Sequence, residues 1–175
     1  NKLLKDLSFR PELKDTLDIW DIQMAEYGKK IIESRNAFIE SLGEIIRGIH
    51  EKISGGKEEL TLSYEKHVGA EELYDAITRS RDRDIRMKTS NVGPHRDDLM
   101  FAIGGVDIRK FGSQGQQRTA ALSLKLAEIE LVKQVIHDTP VLLLDDVLSE
   151  LDHNRQNYLL DSIHDIQTMI TCTGL

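Results

Sequence analysis

The stretch Pro140-Val141-Leu142-Leu143-Leu144-Asp145-Asp146, with Ser149-Glu150-Leu151-Asp152 close behind it, decides how this chain is read. The apolar run Val141 to Leu144 reads as a buried strand, too short to be a helix of its own. Two carboxylates follow at the strand's C-terminal end, where open α/β sheets present their ligand crevice. One carboxylate there can hold Mg²⁺ on a bound nucleotide, and its neighbour can orient or deprotonate a water. The bland alternative is a pair of ordinary strand-end acids.

A nucleotide site of this kind also needs a phosphate cradle of the form G-x-x-x-x-G-K-[ST]. The Gly56-Lys57 pair fails that pattern twice: Glu58 stands where Ser or Thr is needed, and Glu51 where the first Gly is needed. Ile53 to Glu59 therefore reads as a turn. Either the chain is not an ATPase, or it is a fragment whose first half carries the P-loop. The start at Asn1 without Met, and the stop at Leu175 just after an apparent strand, favour the fragment.

A chain of 175 residues can bury a real core in one or two domains. It is 39 % apolar and 30 % charged, an ordinary soluble composition. No apolar run approaches the length of a membrane span, and no signal peptide is visible. The single cysteine, Cys172, excludes an internal disulfide and suits a reducing cytosol, so a cytoplasmic location is expected. A net charge of −7 argues against a strongly basic nucleic-acid binder without excluding a local basic patch.

The chain divides near residues 85 to 90. Before that point Leu13, Leu17, Trp20, Met24, Tyr27, Ile31, Phe38, Leu42, Ile45 and Ile49 recur in steps of mostly four and three. This heptad-like seam predicts a long helix over 13–50, read as a protruding arm or as a core helix of a bundle. Leu60, Leu62 and Tyr64 alternate over 59–65 as a short strand. Residues 69–86 look helical, with a basic cluster of Arg79, Arg81, Arg83 and Arg86 interleaved with Asp82 and Asp84. It reads as a solvated face, or less often as a phosphate contact.

The second part is α/β in pattern. Residues 99–103 and 106–108 flank Gly104-Gly105, a hairpin signal. Phe111-Gly112-Ser113-Gln114-Gly115-Gln116-Gln117-Arg118 then opens a helix reaching about Val135. Ser113 and Gln116 have the spacing of a capping box, and Gly115 permits close approach to the backbone. The start of this helix reads as an anion site or as a well-capped core helix, with nothing in the spacing to choose between them. Its apolar face is broad (Ala120, Leu124, Ala127, Leu131, Val135, with Leu122, Leu126 and Ile129), so cover on more than one side is expected. The His residues have no ligand-like spacing, and no Ser-His-Asp or Cys-His hydrolase pattern stands out.

Together these residues resemble a known family. Ser113-Gln114-Gly115-Gln116 looks like an ABC-type signature loop, Leu142 to Asp146 resembles Walker B with a catalytic carboxylate, and Ser149 to Asp152 resembles the D-loop. With Gly93-Pro94-His95-Arg96-Asp97-Asp98 in front, the set is similar to the RecF family of recombination mediators among the SMC-like ABC ATPases. The resemblance implies an α/β fold, with a helical arm over 1–87 and an ABC-type ATPase lobe over 88–175. It departs at Asp146, where most ABC ATPases have Glu, and at Gln114, where the commonest signature has Gly. The switch-histidine position has no His; Thr171 or Thr173 is the nearest polar residue.

Carried onto this chain, the resemblance implies ATP and Mg²⁺ as cofactors. Ser113 and Gly115, with Gln114 and Gln116 in the same loop, would meet the γ-phosphate of ATP bound to an opposite subunit. Asp145 would hold Mg²⁺ and Asp146 would position the attacking water. Ser149 and Asp152 would lie at the interface of an ATP-dependent homodimer. The family implies binding to DNA gaps or junctions, work with RecR and RecO to load recombinase, and a part in replication, repair and the SOS response. The alternatives are a non-catalytic protein-interaction module with a relic nucleotide face, and another SMC-like ATPase.

Overall fold

Residues 1–148 and 151–172 are described by the computed structural model. The elements run α1 (Lys2–Asp6), a 3-10 segment Pro11–Thr16, α2 (Leu17–Ser54), β1 (Leu60–Glu65), α3 (Leu73–Met87) and a 3-10 turn Pro94–Arg96. Then follow β2 (Asp98–Ile103), β3 (Val106–Asp107), α4 (Ile108–Phe111), α5 (Gln114–Ile136), β4 (Leu142–Asp145), α6 (His153–Ser162) and β5 (Thr168–Thr171). This is the mixed helix-and-sheet architecture expected from the sequence. By packing the chain forms two compact units, each from two stretches: 1–38 with 64–99, and 39–63 with 100–175. A single cut near residue 87 is thus a division by motif rather than by packing.

The long helix differs from its expectation at both ends and in its buried face. Pro11 opens the 3-10 segment, and α2 proper begins at Leu17 and runs to Ser54, two residues into the stretch read as a turn. In the first unit α2 buries Leu17, Asp21, Gly28 and Ile32, whereas Trp20, Met24, Tyr27, Ile31 and Phe38 of the expected seam are exposed. Two contacts explain the choice. Arg81 of α3 binds Asp21 at 2.9 Å through Nε and Asp18 at 2.6 Å through Nη2. A Cβ at Gly28 would stand 2.5 Å from Leu73 Cδ2, so the close approach of Leu73 needs a residue without one. Leu73, Ile32 and Ile77 form the core of this unit. Arg81, read as part of a solvated basic face, is therefore structural; Arg79, Arg83 and Arg86 are exposed.

In the second unit Ile103 and Val106 pair across Gly104-Gly105, whose φ values of 58° and 79° fit the two-residue hairpin turn. Ile108 leaves the hairpin and starts α4, so β3 ends at Asp107 rather than at 108. The main core here joins Leu122 and Leu126 of α5, Leu144 of β4, Leu159 of α6, and Leu148, Ile163 and Ile166. Val135, expected on the apolar face of α5, is 70 % exposed. β4 and β5 pair in parallel, Leu142 with Thr168 through Asp145 with Thr171. One face of this pair meets the core, while Val141, Leu143 and Met169 remain 58 to 70 % exposed.

Candidate functional site

The start of α5 is a complete capping box. Ser113 Oγ accepts from the Gln116 amide at 3.2 Å, and Gln116 Oε1 accepts from the Ser113 amide at 2.9 Å. The first turn of a helix leaves its early amides without intrahelical acceptors, and the box satisfies only these two positions. The amides of Gln114 and Gly115 are thus available to an anion, with the positive end of a helix of 23 residues behind them. Ser113 and Gln114 are exposed, Gly115 and Gln116 half-buried.

Asp152 caps α6, accepting from the Arg155 amide at 3.1 Å and pairing with the Arg155 guanidinium. Chiefly that amide, with the guanidinium charge beside it, holds the Asp152 carboxyl below the usual carboxylate range. Arg155 also reaches the Gly115 carbonyl at 3.5 Å. The D-loop-like segment and the signature-like loop therefore meet within one unit, with Arg155 between them. Lys57, Glu58 and Thr119 join Asp152 and Arg155 in lining a polar cavity at this point. Ser149, the other D-loop residue, and Thr173 lie outside the described residues.

Asp145 and Asp146 stand exposed at the end of β4, as the hydrophobic run implied. Asp146 has φ 52°, left-handed and sparsely populated for a residue with a side chain. Thr171 of the neighbouring strand secures the turn. Its carbonyl and its hydroxyl each accept from the Asp146 amide at 3.1 Å, and the hydroxyl donates to Asp145 Oδ1. One hydroxyl thereby ties the two carboxylate positions together. No group of three or more His, Cys, Asp or Glu gathers as a metal cluster among the described residues. One exposed carboxylate at a strand end still fits Mg²⁺, which is commonly held by one or two carboxylates plus substrate phosphates and waters.

Gly93 to Asp98 serves the first unit's architecture. Asp97 accepts from the Tyr64 hydroxyl and from the His67 amide at 2.8 Å, with Arg35 at 3.7 Å. Arg35 also donates to the Pro94 carbonyl at 2.6 Å, and the His95 ring lies 3.1 Å from the Ser90 carbonyl.

Sequence reasoning missed Glu58, His50 and Arg155. Glu58 Oε1 accepts from Gln116 Nε2 at 2.9 Å, and Glu58 Oε2 lies 3.6 Å from Nε2 of the fully buried His50. Burial pushes the His50 pKa down against the opposing pull of Glu58, and the Arg155 charge adds to the lowering. The residue that spoils the phosphate-cradle pattern is a partner of the signature-like loop. No local pattern marks a contact across that sequence distance.

The chain is 59 % identical over its full length to the DNA replication and repair protein RecF of Agathobacter rectalis, covering 48 % of that protein. It is 60 % identical over its full length to that of Lachnoclostridium phytofermentans, covering 49 %. Identity is 47 % to that of Clostridium acetobutylicum, over 92 % of this chain and 46 % of that one. The chain spans about half the length of the curated relatives it matches. A solved structure described as the recombination mediator protein RecF-ATPrS in the RecFOR pathway matches at TM-score 0.85 and 38 % identity, over 99 % of this chain and 49 % of that one. One described as RecF-ATP matches at 0.83 and 37 %, over 99 % and 51 %. No family model matches the chain.

Proposed function

Because the chain matches the C-terminal part of RecF from end to end, we propose that it is the signature-bearing half of an ATP-driven DNA-repair mediator. By motif it comprises a helical arm, 1–87, and an ABC-type lobe, 88–175. The relatives are about twice as long, and the first half that they carry would bring the P-loop. The full-length protein is this chain joined to such a half. The bare face of the β4–β5 pair supports this reading. Parallel sheets are ordinarily covered on both faces, and Val141, Leu143 and Met169 are exposed.

The observation that carries the proposal is the start of α5. Ser113 and the amides of Gln114 and Gly115 form an anion-binding surface, steadied from below by Gln116. In a two-fold dimer this surface meets the γ-phosphate of ATP held by the partner's P-loop. Asp145 is the residue that would hold Mg²⁺, which when bound would supply positive charge beside the phosphates. Asp146, set at the end of the strand by Thr171, accepts a hydrogen bond from the attacking water and aligns it. Ser149 and Asp152 contribute to the dimer interface. Asp is one methylene shorter than the Glu of most ABC ATPases, so hydrolysis is slow and suits a switch.

The protein would bind DNA at gaps or junctions between single- and double-stranded segments. It would act with RecR- and RecO-type partners to load recombinase, in the cytoplasm. Among the described residues no helix is long and apolar enough to cross a membrane. Sedimentation of the full-length protein with Mg-ATP, with ADP and without nucleotide tests the proposal. A dimer that forms with ATP and disperses as phosphate is released supports it. A monomer under all three conditions overturns it.

A further inference from the structure

A capping box is normally a local device: the N3 side chain needs only its oxygen, to accept from the N-cap amide. Here the other end of Gln116 is engaged as well. Its Nε2 donates to Glu58 at 2.9 Å, and Glu58 comes from the turn after α2, 58 residues earlier. We infer that Glu58 is a positioning residue for the signature-like loop, holding Gln116 and, through its bond from the Ser113 amide, the backbone that presents the Gln114 and Gly115 amides to a phosphate. The inference rests on the trans-acting role of that loop proposed above.

The surroundings of Glu58 favour this over a chance surface contact. Behind it lie polar groups sealed from water: His50 and Ser123 are 0 % exposed and Thr119 is 1 % exposed. Ser123 has a single hydroxyl hydrogen and gives it to the Thr119 carbonyl at 2.8 Å. Ser123 Oγ also lies 3.1 Å from His50 Nδ1, and His50 Nε2 lies 3.6 Å from Glu58 Oε2. His50 Nε2 has no hydrogen-bond partner among the described residues. Gln116 Nε2, at 2.9 Å, is the nearer polar partner of that carboxylate. On the far side Thr119 Oγ1 donates to the Gly115 carbonyl at 2.7 Å.

The hydrogen bonds reach the first turn of α5 from two directions: Glu58 through Gln116 to Ser113, and His50 through Ser123 and Thr119 to the Gly115 carbonyl. Buried polar groups cost free energy that apolar residues would not, and a network that fixes one geometry is what they supply in return. A helix that only had to be capped would need none of it beyond Gln116.

Glu58→Ala and Glu58→Gln in the full-length protein, with Ser113→Arg alongside, decide the matter. Hydrogen exchange reads the amides of residues 113–117, and sedimentation reads ATP-driven dimerisation. Glu58→Ala should speed exchange at Ser113 and Gln116 by about tenfold, the order of one hydrogen bond's net contribution, and weaken dimerisation similarly. Glu58→Gln keeps an oxygen that can accept from Gln116 Nε2, so it should restore both. Wild-type exchange in Glu58→Ala overturns the inference, as does a Gln variant no better than the Ala variant. Should Ser113→Arg dimerise normally, the trans-acting reading fails, while the exchange comparison still decides whether Glu58 positions the loop.

Discussion

Ser113 can be changed so that stability and assembly separate. Ser113→Ala removes the Oγ that accepts from the Gln116 amide at 3.2 Å but leaves the reciprocal bond from the Ser113 amide to Gln116 Oε1. Loss of a Ser N-cap costs about 1 kcal/mol. For a domain of this size that lowers Tm by about 2–4 °C. Domains are stable by about 5–15 kcal/mol, so nearly every molecule stays folded. Ser113→Arg loses the same cap and adds a long cation to an exposed position at the helix start. Its stability should match that of the Ala variant within a few tenths of a kcal/mol, the usual range for exposed changes of this kind being about 0.5 kcal/mol. Any difference in assembly between the two then arises at the surface. Differential scanning fluorimetry gives Tm, and sedimentation with Mg-ATP gives the dimer fraction. The account expects matched Tm values, with dimerisation weakened in the Ala variant, which keeps the Gln114 and Gly115 amides, and lost in the Arg variant. Equal dimerisation in both would refute the phosphate-facing role and leave Ser113 a helix cap.

Asp146→Asn should keep ATP-dependent dimerisation and lower phosphate release by about 10²- to 10⁴-fold, the usual loss when a positioned general base is removed. Thr171→Val removes the hydroxyl shared by Asp145 and the Asp146 amide while the backbone bond to Asp146 remains. Turnover should fall about tenfold, with under 2 kcal/mol lost in urea denaturation for one bond to a charged group; unchanged turnover would remove Thr171 from the site. Arg81→Ala strands Asp21, 5 % exposed, and should cost about 2 kcal/mol in the same assay, below the range for fully buried pairs because the Arg81 side chain is 26 % exposed. The folded-state pKa of His50 lies below its unfolded value, so the unfolded chain binds more protons and stability falls as pH drops below about 6.5. Asp152, also held low, adds its loss only at more acid pH, below about 3.9. Denaturation curves between pH 7 and 5 should therefore flatten in His50→Asn, although Glu58 and Arg155 still face that position.

The parts of this protein set by neighbouring residues were legible. Leu142 to Asp145 is a strand, Gly104-Gly105 turns a hairpin, and Ser113 with Gln116 caps a helix, because each depends on a few consecutive side chains. The buried face of α2 was not. Apolar residues line more than one stripe of that helix, and the choice falls to Gly28 under Leu73 and to the Asp21–Arg81 pair, neither of which hydrophobic spacing registers. Glu58 was hidden for a related reason. Its partners, Gln116 and His50, meet it only after folding, and in sequence it looks like the residue that ruins a phosphate loop. The left-handed Asp146 gives no sequence signal at all, since Asp tolerates that conformation without a glycine's signature.

Complementation between two inactive variants tests the central claim most directly. In the proposed dimer each nucleotide site combines the strand carboxylates of one subunit with the α5 start of the other. Full-length Ser113→Arg and Asp146→Asn are each expected to be inactive alone. When mixed, one of the two sites in a heterodimer pairs an intact Asp146 with an intact Ser113, while both defects fall in the other. Phosphate release from the mixture should rise well above that of either variant, towards half the wild-type rate per heterodimer. If the mixture releases no more phosphate than the two variants measured separately, Ser113 does not act across the interface and the account is wrong at its centre.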